Sequence, residues 1–157
     1  MTQQNAIHPD TTLVIERTFD ALPEVVFQAF TVPAQLEQWW GPHGYGTRGW
    51  EIDLQVGGAL RYEMYEVQSD KGHWVSGIYT AIEPNRRLTH TASIEWGADS
   101  GMEDVTGMTI DIQFIAEGTG TRVVGTQTGI PDASWVEGAT VGWSQQFEKL
   151  GAWLAGR

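Results

Sequence analysis

One histidine and two tyrosines are the residues of this chain whose types and positions could do chemistry inside a folded protein. His90 shares one face of a predicted strand, Leu88 to Trp96, with apolar residues. Its pKa lies near neutrality, so it could bind a ligand or transfer a proton. Tyr62 and Tyr79 lie in neighbouring predicted strands, and a phenol inside a pocket can orient a ligand carbonyl or hydroxyl. The alternative is a neutral, hydrogen-bonded core histidine and two tyrosines that serve only packing.

Tryptophan is the second informative residue type, with eight in 157 residues and two adjacent at Trp39 and Trp40. A buried tryptophan contributes a wide apolar surface, but its ring N–H needs an acceptor. We therefore predict a broad apolar interior with a cavity for a small molecule. Beside His90 and the two tyrosines, the predicted ligand-binding residues are Trp39, Trp40, Trp50, Trp74, Trp96, Met108, Trp143 and Phe147. The alternative is that these side chains are plain core, and that Trp143 and Phe147 fill the space completely.

Residue content and spacing exclude or disfavour several kinds of reactive site. The chain has no cysteine, which excludes disulfides, thiolate nucleophiles and cysteine-ligated metals. The four histidines show no ligand spacing, so we expect no metal ion. No serine lies in a nucleophile elbow, and no pair of carboxylates shares a predicted inner face. We therefore expect no cofactor and assign no catalytic residue, with His90 as the one candidate.

The charge balance of the chain indicates which classes of partner it disfavours. The formal net charge is −11, from 20 acidic and nine basic residues. Nucleic acids and anionic membrane surfaces attract proteins through Lys and Arg, so we expect neither as a partner. No apolar stretch approaches the roughly 20 residues needed to span a bilayer. The first ten residues lack the basic start and apolar run of a signal peptide, so we expect a cytoplasmic protein.

The predicted elements that position these side chains start with a strand and two short helices. Residues 1–11 are predicted to be a disordered tail, and residues 12–157 a single domain. The segment Thr12 to Asp20 is rich in β-branched residues and predicts a strand. Pro23 and Pro33 each suit the first turn of a helix. The four glycines between Gly41 and Gly49 predict an irregular loop.

Strand-like alternation then continues as far as residue 128. Arg48, Trp50, Ile52 and Leu54 alternate with small and acidic residues, which predicts one apolar strand face. Arg48 on that face could meet a ligand carboxylate, but a surface ion pair is the preferred interpretation. The alternation slips at Tyr65, which predicts a bulge. The later strands follow one another at hairpin spacing without helices between them, so the sheet should be antiparallel.

The last segment returns to helical spacing. Apolar residues recur every three or four positions over about five turns, at Val136, Ala139, Trp143, Phe147, Leu150 and Leu154. Such a helix should pack its apolar stripe against the apolar face of the sheet. The order of elements predicts an α+β fold with the helices on one side of one sheet.

Several short motifs, in their order, resemble those of a known family. The combination resembles the START-like, or helix-grip (SRPBCC), superfamily over residues 12–155, and within it the branch of the activator of Hsp90 ATPase, with its small bacterial members. The motifs are Phe19-Asp20-Ala21-Leu22-Pro23 with Val26-Phe27, Trp39-Trp40-Gly41-Pro42, Ile52-Asp53-Leu54 with Val56-Gly57-Gly58, Gly77 with Tyr79, Pro84 with Arg87-Leu88, Gly120-Thr121-Arg122 and Gly142-Trp143.

This resemblance implies a curved antiparallel sheet of six to seven strands gripping a long C-terminal helix, with a cavity between them. The superfamily includes lipid carriers, hormone receptors, and polyketide cyclases and aromatases, so the fold leaves function open. Our leading hypothesis is the binding of an apolar or aromatic small molecule. The second is a cyclase-like or aromatase-like enzyme that uses His90 or a cavity tyrosine. The third is a partner of an Hsp90-type chaperone. A homodimer is left open.

Overall fold

Seven strands form one antiparallel sheet in the computed structural model, which describes residues 11–157. The strands are β1 (Leu13–Phe19), β2 (Tyr45–Ile52), β3 (Ala59–Glu66), β4 (Gly72–Glu83), β5 (Arg87–Glu95), β6 (Val105–Glu117) and β7 (Gly120–Thr128). Their spatial order is β1-β7-β6-β5-β4-β3-β2, so β1 and β2 are the edges. The predicted α+β fold with an antiparallel sheet is confirmed. Residues 1–10 of the predicted tail lie outside the described residues.

Three helices cover the concave face of this sheet. They are α1 (Pro23–Ala29), α2 (Pro33–Trp39) and the long α3 (Val136–Ala155). Pro23 and Pro33 lie in the first turns of α1 and α2, where the missing N–H of proline costs nothing. The apolar stripe of α3 is buried at Trp143, Phe147 and Leu150. Two further short turns of 3-10 helix span Ala98–Ser100 and Ala133–Trp135.

Alternation along the strands decides which side chains reach the concave face. Ile112 pairs with Leu88 on β5 and Gly125 on β7, and side chains opposite each other in a sheet point to the same face. The alternate residues of β6 that point to this face are all buried, at Met108, Ile110, Ile112 and Phe114. This face and the helices together form the apolar core.

A β-bulge in β2 corrects the predicted alternation of that strand. The register with β3 shifts between Arg48 and Glu51, and Gly49 has a φ of +69°, a conformation that glycine adopts without strain. As a result Thr47 is buried while Arg48 is partly exposed. Arg48 and Trp50 therefore do not share a face, because the extra residue reverses the alternation between them.

The same region overturns two further expectations. The predicted irregular loop ends early, because β2 already begins at Tyr45. The bulge predicted at Tyr65 is absent from the pairing of β3 with β4, which stays in register to Tyr65 and Gly72. The slip in the pattern at Tyr65 thus marks the end of a strand, and the bulge lies in its neighbour.

Among residues 11–157, no helix is both long and apolar enough to cross a bilayer.

Candidate functional site

A small internal cavity, here called the chamber, lies between the concave face of the sheet and the segment of residues 30–40. It is lined by Phe30, Leu36, Trp40, Trp50, Leu60, Tyr62, Tyr79, Leu88, His90 and Ile112. The space open to the centre of a water molecule inside it is about 20 Å³. About 10–15 Å³ on this measure suffices for one water, so the chamber in this state is about the size of one water molecule.

Residues 30–40, here called the roof segment, pack as a set of edge-to-face rings. The ring centroids of Phe30 and Trp39 are 4.8 Å apart, and those of Trp39 and Trp40 are 5.1 Å apart. Trp40 also meets Trp143 of α3 at 5.3 Å. These edge-to-face contacts are the preferred geometry of aromatic pairs. They fill the space below α3, so no residue of that helix lines the chamber.

The three tryptophans of the core have acceptors for their ring N–H groups, whereas the buried Trp96 Nε1 has none among residues 11–157. Trp39 Nε1 donates to the Ala29 carbonyl oxygen at 2.9 Å, and Trp40 Nε1 donates to the Tyr62 hydroxyl at 3.0 Å. Trp143 Nε1 donates to Gln127 Oε1 at 2.7 Å. Each of these three indoles therefore gains its apolar contacts without leaving a donor unpaired.

Trp50 differs from the rest of the chamber lining because it alone is only partly buried. Its ring lies on that of Tyr62 with a centroid distance of 4.0 Å and an angle of 19° between planes. Among residues 11–157 this is the one near-parallel ring pair, and the other ring pairs are tilted or edge-to-face. Trp50 Nε1 donates to Thr47 Oγ1 at 2.9 Å. The bulge at Gly49 is what turns this side chain towards the chamber.

The protonation state of His90 follows from its surroundings. Its Nδ1 lies 2.7 Å from the Thr91 carbonyl oxygen, which can only accept, so Nδ1 carries the proton and donates. Burial lowers the pKa of His90 and outweighs the opposing effect of this hydrogen bond. The ring is therefore neutral at pH 7, and Nε2 is left as an acceptor.

Tyr79 lies directly opposite His90 in the pairing of β4 with β5. Their ring centroids are 5.8 Å apart and their planes meet at 81°. Burial raises the pKa of the Tyr79 phenol, so this hydroxyl keeps its proton at pH 7. Neither the Tyr79 hydroxyl nor His90 Nε2 forms a hydrogen bond with any residue in the range 11–157.

A second, open depression, here called the end cleft, lies between the β3–β4 turn and the β5–β6 connection. Its volume is about 690 Å³. His73 and Trp96 form its aromatic wall, with ring centroids 4.6 Å apart. The remaining lining residues are Tyr45, Glu66, Ser69, Lys71, Gly72, Gly97, Ala98, Asp99 and Ser100.

The structure brings together five of the eleven predicted binding residues around the chamber: Trp40, Trp50, Tyr62, Tyr79 and His90. Trp39, Met108, Trp143 and Phe147 are buried in the surrounding core without lining it. Trp96 lies in the end cleft.

Trp74 lies on the outer face of the sheet, on the side away from the chamber. It neighbours the buried Val75 in β4 and so points the opposite way. The Arg61 guanidinium stacks 3.8 Å from the Trp74 ring centroid. Arg48 is likewise on the outer face, where it pairs with Glu63 at 2.8 Å and Asp70 at 2.9 Å. The preferred interpretation of Arg48 as a surface ion pair is confirmed.

The comparisons with known proteins agree with this architecture. The family model "Activator of Hsp90 ATPase homolog 1-like protein" matches residues 20–155. The chain belongs to this family. Its resemblance to the branch of the Hsp90 ATPase activator, stated above from short motifs, is thereby confirmed. A search of curated proteins found no match.

Solved structures of the same kind cover nearly the whole chain. Protein CV1439 from Chromobacterium violaceum is 31% identical and has a TM-score of 0.80, with 90% of this chain and 95% of that chain covered. The AHSA1 protein SPO3351 from Silicibacter pomeroyi is 29% identical with a TM-score of 0.73, and the coverage is 92% and 97%. CalU16 from Micromonospora echinospora, at 22% identity and a TM-score of 0.65 over 94% and 80%, shares the fold.

A polar clasp joins the loop after Trp40 to α3 in this member of the Hsp90-activator-like family. Gln146 Oε1 accepts from the Gly41 N–H at 2.8 Å, and Gln145 Oε1 accepts from the His43 N–H at 3.0 Å. Lys149 Nζ donates to the carbonyl oxygens of Gly41 at 2.9 Å and Tyr45 at 3.2 Å. These bonds fix the end of the roof segment to the second half of α3.

Half of the chamber lining was not among the predicted binding residues. Leu60, Leu88 and Ile112 lie on the predicted inner faces of their strands, so the alternation pattern carries the signal for them. Phe30 and Leu36 come from the roof segment, and no strand pattern could place them. Among the described residues, no group of three or more His, Asp or Glu side chains could hold a metal ion.

Proposed function

We propose that the protein binds a small apolar or aromatic molecule at the chamber. Apolar groups make up most of the lining, and the few polar groups are Tyr62, Tyr79, His90 and the indole N–H groups. Ligand sites are built in this way, from mostly apolar walls with a few polar groups that fix orientation. The single observation that carries the proposal is Trp50, the one lining residue that reaches solvent.

Binding requires the chamber to widen, because its present volume of about 20 Å³ excludes any molecule larger than water. Nine lining residues are buried and held in the core, whereas Trp50 has solvent on one side. If the Trp50 indole swings outward, it leaves a planar space on the Tyr62 ring, 4.0 Å away at present. A flat apolar ligand fits that space by taking the stacked position of the indole.

The test compares wild-type protein with Trp50→Ala and Trp74→Ala, using indole as the probe in isothermal titration calorimetry. Removing the partly buried Trp50 indole leaves an apolar space on the Tyr62 ring, and apolar spaces of this kind bind small aromatic molecules. We expect Trp50→Ala to bind indole at least about ten-fold more tightly than wild type. Trp74→Ala, a tryptophan removed from the outer face, should bind indole as wild type does.

Two results would count against the proposal. One is a Trp50→Ala variant that keeps its circular dichroism spectrum but binds indole no better than wild type. The other is a wild-type protein that binds neither indole nor 2-naphthol at millimolar concentration. Native mass spectrometry of protein purified without detergent adds an independent readout, since a bound molecule would appear as a mass adduct.

The other functions and partners expected from the sequence stay predictions. Catalysis with His90 would show as turnover that His90→Gln removes while ligand binding persists. Action on an Hsp90-type chaperone would show as a changed ATPase rate of that chaperone. A homodimer would show as a doubled mass in light scattering.

A further inference from the structure

Two polar atoms on buried residues of the chamber lining have no hydrogen-bond partner among residues 11–157. They are the hydroxyl of Tyr79, a residue 1% exposed, and Nε2 of His90, a residue 8% exposed. Native proteins rarely leave a polar group of a buried residue unpaired without a reason. Tyr62, the other chamber phenol, has its partner in Trp40. The Tyr62 oxygen thus accepts from a protein group, whereas the Tyr79 oxygen and His90 Nε2 do not.

The two groups have complementary roles. His90 Nε2 can only accept, because Nδ1 holds the proton and donates it to Thr91. The Tyr79 hydroxyl keeps its proton and can donate. They face each other across neighbouring strands, with ring centroids 5.8 Å apart. A single hydroxyl group can donate to His90 Nε2 and accept from the Tyr79 hydroxyl, either as one water molecule in the chamber or as the hydroxyl of a ligand that replaces it.

The charge of the ligand is constrained as well. The ten lining residues include no Asp, Glu, Lys or Arg, and His90 is neutral. An ionised carboxylate or ammonium group would lose its hydration there without gaining an opposite charge, which is costly. The walls therefore disfavour fatty-acid and amine ligands and favour neutral ones.

We propose that the chamber selects neutral apolar molecules that carry a hydroxyl group, such as phenols, and that Tyr79 and His90 bind this hydroxyl together. The proposal rests on the proposed function of the same chamber. A site built to hydrogen-bond a ligand hydroxyl discriminates strongly against the analogue that lacks it, because the protein groups are then left unpaired.

The experiment uses three probes of the same size with different polar groups. These are 2-naphthol, 2-methylnaphthalene and 2-naphthoate, titrated calorimetrically at pH 7.5 into wild type, Trp50→Ala and Tyr79→Phe. We expect wild type and Trp50→Ala to bind 2-naphthol at least about ten-fold more tightly than either other probe. Tyr79→Phe removes one oxygen without changing the ring, so it should lose most of this preference and keep its affinity for 2-methylnaphthalene.

Tyr65→Phe is the matched control, because it removes a phenol hydroxyl from a residue on the outer face that does not line the chamber. It should keep the preference for 2-naphthol. Equal affinities of wild type for 2-naphthol and 2-methylnaphthalene would overturn the hydroxyl proposal and leave binding at the chamber standing. An unchanged preference in Tyr79→Phe would also overturn it. If neither wild type nor Trp50→Ala binds any of the three probes, the proposed function itself is overturned, and this proposal with it.

Discussion

Nine of the ten residues that line the chamber are buried, whereas none of the eleven that line the end cleft is. Yet the end cleft offers about 690 Å³ and the chamber about 20 Å³. The cleft's charged and polar groups, such as Lys71 and Asp99, are exposed to water. The chamber has mostly apolar walls and two polar atoms, on Tyr79 and His90, without a hydrogen-bond partner among residues 11–157. The volume of a cavity is therefore a poorer guide to a binding site than the burial and chemistry of the residues that line it.

The largest expected difference between the two regions is in stability. Trp40→Ala removes a buried indole that contacts five aromatic rings, those of Phe30, Trp39, Trp50, Tyr62 and Trp143. We expect a loss of about 3–5 kcal/mol in the free energy of unfolding. Trp96→Ala in the end cleft should cost only about 1–2 kcal/mol. Urea unfolding of both variants would measure this, and equal losses would contradict the contrast between the two regions.

A smaller effect is expected at the clasp that secures the roof segment. Gln146→Leu leaves the buried Gly41 N–H without its acceptor, so the free energy of unfolding should fall by about 1–3 kcal/mol. Gln145→Ala removes a comparable bond to His43 that is exposed to solvent, and should cost less than about 0.5 kcal/mol. If the two variants lose the same free energy of unfolding in urea, burial of the Gly41 N–H does not add to the stability of the clasp.

Gly49→Ala probes how the bulge sets the position of Trp50. The φ of +69° at Gly49 strains any residue with a Cβ, by about 1–2 kcal/mol. Gly44→Ala is the control, since its φ is +85° and an added Cβ there meets nothing within 4 Å. Both variants should lose similar stability in urea unfolding. Only Gly49→Ala should change the near-ultraviolet circular dichroism of the Trp50–Tyr62 stack, and an unchanged spectrum would argue against this role.

The smallest expected effect is the pH dependence of stability that the two histidines, one in each region, contribute. Burial lowers the pKa of His90 in the chamber and of His73 in the end cleft. A lowered folded-state pKa means that the unfolded chain binds protons first as the pH falls. The stabilisation that each neutral ring contributes is therefore fully present above the unfolded-state pKa of about 6.5. It is lost as the pH falls from that value to the lower pKa of the folded state.

His90 is the more deeply buried of the two, so it should contribute more of this pH dependence. The free energy of unfolding of wild type should fall between pH 7.5 and pH 5.5, as measured by urea unfolding. His90→Gln should flatten this slope more than His73→Gln does. The reverse order would show that the chamber histidine is already hydrated in the folded protein.

Much of the fold was predictable because each element carries its own local signal. The two prolines mark the starts of α1 and α2, and the spacing from Val136 to Leu154 marks α3. The burial of Met108 and Phe114 follows from simple alternation. The family resemblance supplied what local signals lack, namely how the helix lies across a curved sheet.

The site was predictable only in part, because its details depend on contacts between distant residues. One inserted residue at Gly49 decides which side chains of β2 face inward, and the sequence pattern placed the bulge in the wrong strand. Trp74 and Trp50 look alike in sequence, yet they lie on opposite faces of the sheet. The chamber is covered by residues 30–40 and not by α3, because Trp40 packs against Trp143. No local sequence pattern predicts this contact between distant residues.

The clasp between the loop after Trp40 and α3 affects when the protein can complete its folding during synthesis. Its bonds join residues more than 100 positions apart, for example Gly41 with Gln146 and Lys149. The sheet can pair hairpin by hairpin as the nascent chain emerges, but the loop after Trp40 lacks its clasp partners on α3 until residue 149 has left the ribosome. Until then the aromatic interior is exposed, so ribosome-bound chains halted before residue 145 should be markedly more sensitive to protease than chains released at full length.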